Sequence, residues 1–153
     1  STDGVHTVED LRAEYQKMLY QNNLNTAVMD YLLANSTFKD LPKEVTDYQV
    51  NQCLNYYYTM AQYYGYDLDS FLQAAAGYNS ADDLLDAMSD SITEYAREAL
   101  LYQAVAEAMD IAPTQEQIDT YSAYTETYGA NYCTMVALMD AVSEALTTGA
   151  QVQ

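Results

Sequence analysis

The sequence predicts an all-α fold, an elongated assembly of long helices. Three observations carry this. Apolar residues recur on a helical period through most of the chain, and no stretch alternates convincingly with period two. Only 5 Gly and 2 Pro stand in 153 residues, too few for a fold built on many tight turns. Helix-start and helix-stop residues bracket the periodic stretches. The longest of these, Ser80 to Asp110, serves as the spine. Leu84, Met88, Ile92, Tyr95, Ala99, Tyr102, Ala106 and Met109 keep to one face, and Leu85, Ala96, Leu100, Leu101 and Val105 widen the stripe. Ser80 is its N-cap, with Asp83 placed to reach back to the cap, and Pro113 stops the run. Such a helix, about 43 Å long at 1.5 Å per residue, cannot bury its own stripe. Other helices, the first helix and the C-terminal pair, are expected along it.

Taken in order, residues 1–6 form a linker. Thr7 caps a first helix that runs to about Ala34, with acids in its first turn. Val8, Leu11, Tyr15, Met18 and Leu19 give its stripe; Gln21 to Asn25 interrupt it, and Val28, Tyr31 and Leu32 resume it. After a connector, Pro42 suits a first helical position. Val50, Leu54, Tyr57, Ala61 and Tyr64 share a face of the next helix, and Gly65 serves as its left-handed C-cap. Asp67 caps a short helix, Leu68 to about Ala75, that stops at Gly77. The spine follows. Thr114 and Gln117 form a capping box for a fifth helix, striped by Ile118, Tyr121, Tyr124 and Tyr128 and closed by Gly129. A sixth helix covers about Asn131 to Thr147. No segment repeats at a fixed period, so this is not a solenoid.

The net charge is −18, and all five basic residues (Arg12, Lys17, Lys39, Lys43, Arg97) precede residue 98. Nothing in such a chain neutralises phosphates, which argues against nucleic acid and anionic membrane surfaces as partners. No run approaches the roughly 18 apolar residues of a membrane span. Cys53 and Cys133 stand 80 positions apart in neither a disulfide framework nor a zinc spacing; a single long-range disulfide stays open. The chain opens on STDG without an initiating Met, which reads as a piece of a longer protein.

Residues for catalysis are nearly absent. His6 is the one His and lies in the linker, so no Ser-His-Asp or Cys-His arrangement forms. Asp82, Asp83, Asp86 and Asp90 read as a solvated face rather than a Ca²⁺ loop, and Asp67 and Asp69 as a cap and a first-turn acid. No cofactor, no metal site and no catalytic residue is assigned. The sequence instead offers 17 Tyr, 7 Met and no Trp. Tyr56, Tyr57, Tyr58, Tyr63, Tyr64 and Tyr66 fall within eleven residues, and three consecutive rings on a helix point about 100° apart. Some must be exposed, where amphipathic rings and adaptable Met bind without demanding one sequence.

TVEDLRAEYQKML, followed by AVMDYLLANSTFKDLPKEVTDYQVNQCL, resembles the C-terminal domain of bacterial trigger factor. The residues that carry the likeness are Thr7, Glu9, Leu11 and Arg12, then Leu33, Asn35, Ser36, Phe38, Leu41, Pro42 and Val45. Gly65-Tyr-Asp-Leu-Asp-Ser-Phe71 is similar to the turn that follows the family's first arm. The junction around Arg97, Leu100, Ala104 to Glu107, Ile111, Thr114, Gln117 and Ile118 is similar as well. The resemblance covers nearly the whole chain, so residues 7–153 are read as one such domain. It implies long helices with a protruding arm hairpin and a role in holding unfolded or nascent polypeptides. In the family this domain follows a prolyl isomerase domain of the FKBP type; the stretch in hand would not itself be an enzyme. The resemblance places Leu54, Tyr57, Tyr58, Ala61, Tyr64, Phe71 and Leu72 on the arm, as the residues that would contact clients. The acidic surface should favour basic, apolar clients. The second reading is a structural domain that positions the neighbouring domain or forms a homodimer. Few Lys and many Tyr, Asn, Ser and Thr resemble an exported or surface-anchored relative, with the cytoplasm as the alternative.

Overall fold

The computed structural model describes residues 6–149. Residues 1–5 of the expected linker lie outside them; His6 is exposed, and its N–H donates to Asp10 Oδ2 at 3.1 Å. Among the described residues every regular element is helical. The helices are α1 (Val8–Asn35), α2 (Lys43–Tyr63), α3 (Leu68–Phe71), α4 (Ala81–Ala87), α5 (Ser89–Met109), α6 (Gln115–Thr120), α7 (Thr125–Tyr128) and α8 (Ala130–Gly149). A π turn, Leu72–Ala76, continues α3, and a 3₁₀ turn, Ser122–Tyr124, separates α6 from α7.

The helix starts follow the cap chemistry written in the sequence. The Asp10 backbone N–H donates to Thr7 Oγ1 at 3.1 Å while the Thr7 N–H donates to Asp10 Oδ2 at 2.9 Å, a complete capping box for α1. Thr114 and Gln117 do the same for α6. Asp67 accepts the Ser70 N–H at 2.9 Å and starts α3. At α4, Ser80 Oγ accepts the Asp83 N–H, and the Asp83 carboxylate reaches one residue beyond the cap to the Asn79 N–H. The α2 stop is equally legible. Gly65 takes φ 77°, which lets the Tyr66 N–H close onto the Ala61 carbonyl at 2.8 Å.

Two expectations are corrected. The spine is two helices rather than one, with Met88 at φ −94°, ψ 2° between α4 and α5. The Met88 N–H still bonds the Leu84 carbonyl and the Ile92 N–H the Met88 carbonyl, so i to i−4 hydrogen bonds continue across the junction. Ser89, Asp90 and Ser91 follow directly, residues of low helix propensity whose side chains compete for the backbone. The far end of the spine lies where it is expected, at Met109, one residue short of Asp110. Asp110 adopts φ 55°, a conformation that Asp tolerates better than most residues, and the Ile111 N–H bonds back to the Ala106 carbonyl. The second correction is the fifth helix, which the structure divides into α6, the 3₁₀ turn and α7.

The chain separates into two compact units, and the division falls inside α5. Unit 1 comprises residues 1–36 and 104–153. In it α8 packs against α1, α6 and α7, over a small core of Met29, Ala106, Cys133, Ala137 and Val142. Unit 2, residues 37–103, packs α2 against α3 and α4 over Ala61, Phe71, Leu72, Leu84, Ile92, Ala96, Leu101 and Tyr102. Tyr95 and Met109, assigned to the buried face of the spine, are exposed. Ala96 takes the inward position beside Tyr95, since a small side chain lets helices approach closely. Two residues that carried the family resemblance, Phe38 and Arg97, meet in unit 2, with the guanidinium 5.9 Å from the ring centroid.

Candidate functional site

The residues expected to contact clients divide into a support and a surface. Ala61, Phe71 and Leu72 are buried in the core of unit 2, which corrects their assignment to the exterior. The hydrophobic effect places them there: α3 is one turn long and can hold its position only by burying Phe71 and Leu72 against α2. Leu54 and Tyr57 are half-buried, and the Tyr57 ring sits edge-on to Tyr78 at 6.2 Å between centroids. Burial, followed by the neighbouring Tyr78 hydroxyl, raises the Tyr57 phenol above its ordinary pKa. Tyr58 and Tyr64 remain at the surface. Tyr64 lies stacked over Phe71, at 6.0 Å with 10° between planes, and Tyr58 takes a hydrogen bond from Gln62 Nε2 at 2.6 Å. Tyr56, Tyr63 (80% exposed) and Tyr66 extend this aromatic surface, because consecutive rings on a helix cannot all turn inward.

Unit 1 carries a second apolar surface, the stripe that opens α1. Every residue from Leu11 to Asn23 on α1 is exposed. Val8 (62% exposed), Leu11 (59%), Tyr15 (56%) and Met18 (46%) follow one another at spacings of 3, 4 and 3, a bare row along one helix face. Leu19, Tyr20 and Tyr31 add to it. The signal was present in the periodicity. Periodicity reports that a face is apolar and says nothing of whether another helix covers it. Burial begins only in the second half of α1, where Met29 meets the core of unit 1.

A different chemistry lies between that second half of α1 and α8. A cavity of about 360 Å³ is walled by the amides of Gln21, Asn22 and Asn25 on α1 and by Asp140, Glu144 and Thr147 on α8. The Tyr121 hydroxyl donates to Asp140 Oδ2, which pushes the phenol up to about 12, with burial the next cause. Nearby, Cys133 is buried on α8 and its thiol donates to the Tyr121 carbonyl at 3.2 Å. Cys53 is also a free thiol, with its pKa raised by burial, so neither cysteine is in a disulfide. Among the described residues no group of three or more His, Cys, Asp or Glu could hold a metal ion, and no helix is long and apolar enough to cross a membrane.

Comparison with known proteins bears on the same residues. The sequence model of the family described as "bacterial trigger factor protein (TF) C-terminus" matches residues 7–146. Relatives named trigger factor from Streptococcus pyogenes serotypes M5 (strain Manfredo) and M1 are each 25% identical over 124 residues, covering 76% of this chain and 29% of the relative. The serotype M4 (strain MGAS10750) trigger factor is 25% identical over the same length, 27% of its own chain. The chain thus spans less than a third of the curated relatives it matches. No solved structure matches it.

Proposed function

The chain belongs to the trigger factor C-terminus family, the chaperone part of that protein rather than its prolyl isomerase part, and from this premise we propose that it holds non-native polypeptides on exposed apolar helix faces. The observation that carries the reading is the bare row Val8, Leu11, Tyr15 and Met18 on α1. Soluble proteins rarely leave a contiguous apolar row uncovered unless something binds there. Burying it is worth roughly 25 cal/mol per Å² of apolar area, which over a few side chains gives weak contacts tolerant of sequence. Tyr58 and Tyr64, with Tyr56, Tyr63 and Tyr66, supply a second contact surface in unit 2, and Ala61, Phe71 and Leu72 support it from beneath. Rings that present an apolar face and a hydroxyl suit an unfolded chain, whose side chains and backbone are both unpaired.

The test replaces Leu11, Tyr15 and Met18 by Gln, which keeps helix propensity while removing the apolar row. A second variant carries Tyr58→Ser and Tyr63→Ser. Both should retain the parent's helical circular dichroism and melt within a few degrees of it, since none of these side chains lies in a core. Suppression of aggregation of a denatured test protein should fall at least about threefold for the α1 variant, and further when the two sets are combined. A folded five-site variant that protects clients as well as the parent would show that these surfaces serve another purpose, such as positioning a neighbouring domain.

A further inference from the structure

We infer that the bare row on the first half of α1 seats an amphipathic helix of a bound polypeptide, so that the segments held there are helical rather than extended. That a client supplies this helix rests on the holding role proposed above. The row is one part of a longer seam. Val8, Leu11, Tyr15 and Met18 are followed by Asn22, Asn25, Met29 and Leu32, and the spacings alternate between 3 and 4 without a break. This is the seven-residue repeat of a helix face that receives another helix. The second half of the seam already does so. Met29 is buried, and Asn25 and Leu32 are half-buried, where α8 packs on α1. Leu11 precedes Met29 by eighteen residues, five full turns at 3.6 residues each, and so leaves the helix axis in the same direction. The bare row is thus continuous with an interface the protein has built.

α8 runs back along α1. Cys133 and Ala137 share a core with Met29, while Asp140, Glu144 and Thr147 line a cavity with Asn25, Asn22 and Gln21. Asn22 and Asn25 make a polar step in the seam, and polar residues at such positions fix register. Beyond them the apolar row goes on from Met18 to Val8 for about three turns, roughly 15 Å. A helical occupant suits it for a physical reason. The N–H and C=O groups of α1 are bonded within their own helix, so an extended chain laid on the row would leave its backbone unpaired against apolar side chains. A helix satisfies its backbone internally and presents side chains at the matching spacing. Arg12 borders the row on one side and Glu14 on the other, which suits an occupant with an acid on one flank and a base on the other. A second copy of this chain fits less well. Laid antiparallel, it sets Arg12 beside Arg12 and Glu14 beside Glu14; laid parallel, both α8 helices claim the same seam.

The test uses the whole chain and three peptides of about 18 residues. One carries Leu and Ala at the seam positions of a heptad, with Glu and Lys on its flanks. One has the same composition with its apolar residues alternating on period two. One is the heptad peptide with a central Pro. Amide hydrogen exchange and backbone shifts locate binding. In the free chain residues 11–18 should exchange fast, because nothing packs on them. The heptad peptide should slow them, shift residues 8–21 and gain helical circular dichroism on mixing. The alternating and Pro peptides should bind at least about tenfold more weakly. Leu11→Gln with Tyr15→Gln and Met18→Gln should remove the response to the heptad peptide. Equal binding of all three peptides at α1 would overturn the helical occupant and leave the holding role standing. So would the absence of any peptide response in a chain whose Gln variant has lost protection of denatured clients. Failure of the holding role reads differently, as a Gln variant that protects clients as well as the parent does. Slow exchange of residues 11–18 in the free chain would also overturn the inference, marking a second copy as the occupant if it grows with protein concentration and the chain itself if it does not.

Discussion

At the scale of the residue, single hydroxyls and carboxylates fix where elements start and how they respond to pH. Hydrogen bonds from the Thr7 side chain and then from the His6 and Thr7 backbone hold the Asp10 carboxyl below its ordinary pKa, and the Ser70 backbone and side chain do the same for Asp67. A depressed carboxyl supports the fold above its unfolded value, near 4, and that support is lost as pH falls below it. Tyr121 acts at the other end of the scale. Its folded pKa is about 12 because its proton is bound to Asp140, against about 10 for an unfolded tyrosine. The stabilisation is fully present below pH 10 and is lost as pH climbs to 12. Tyr121→Phe should therefore lower stability by about 1 kcal/mol near neutral pH, the net worth of one partly solvated hydrogen bond to a charged group. It should also lose less than the parent between pH 10 and 12. Thermal melts across that range check both points; a Phe variant with the parent's alkaline profile would show that the bond does not form.

At the scale of the element, the division of the expected fifth helix has a specific cause. Thr120, Thr125 and Thr127 are β-branched, and Thr120 Oγ1 turns back to the Glu116 carbonyl at 3.1 Å. The carbonyl of Tyr121 faces α8 and accepts the Cys133 thiol, while Thr125 Oγ1 lies 3.4 Å from the same sulfur. One buried side chain on α8 thus ties down both sides of the break. Cys133→Ala should cost about 1–2 kcal/mol through the cavity and the orphaned carbonyl. The larger effect should be local, as faster amide hydrogen exchange over residues 121–129 with little change on α2. Uniformly faster exchange along the whole chain would mean that the thiol holds up the fold in general rather than this segment.

At the scale of the whole molecule, the thin cores and uncovered faces have one origin in composition. Tyr carries a hydroxyl that must find a partner when buried, so a chain that draws its apolar surface from Tyr keeps much of it outside. Tyr102 is the one Tyr in a core among the described residues, whereas Tyr15, Tyr20, Tyr31, Tyr56, Tyr58, Tyr63, Tyr64, Tyr66, Tyr95 and Tyr124 are exposed. Among the described residues the helices present rows of rings, and the family match is to the chaperone part rather than the prolyl isomerase part. The purified chain should accordingly leave the cis–trans isomerisation of a model proline peptide at its background rate while still suppressing aggregation. Acceleration well above background would contradict the assignment to the chaperone part of the family.

The sequence by itself determined the helical class, most helix starts and stops, and the family. Caps, left-handed glycines and 3.6-residue periods are local, set by a few neighbouring residues whose hydrogen bonds close within one turn. The Thr7–Asp10 and Thr114–Gln117 boxes and the turn at Gly65 were legible for that reason. Tertiary structure alone decided which apolar faces are covered. The stripe on the first half of α1 and the stripe through Ala96 read alike in sequence, yet one is bare and the other buried, because burial depends on a partner distant along the chain. The same limit hid the fate of Phe71 and Leu72 and the cavity between α1 and α8. The Asn-rich segment that reads as a gap in a stripe meets Asp140 and Glu144 only when two helices more than a hundred residues apart in sequence pack together.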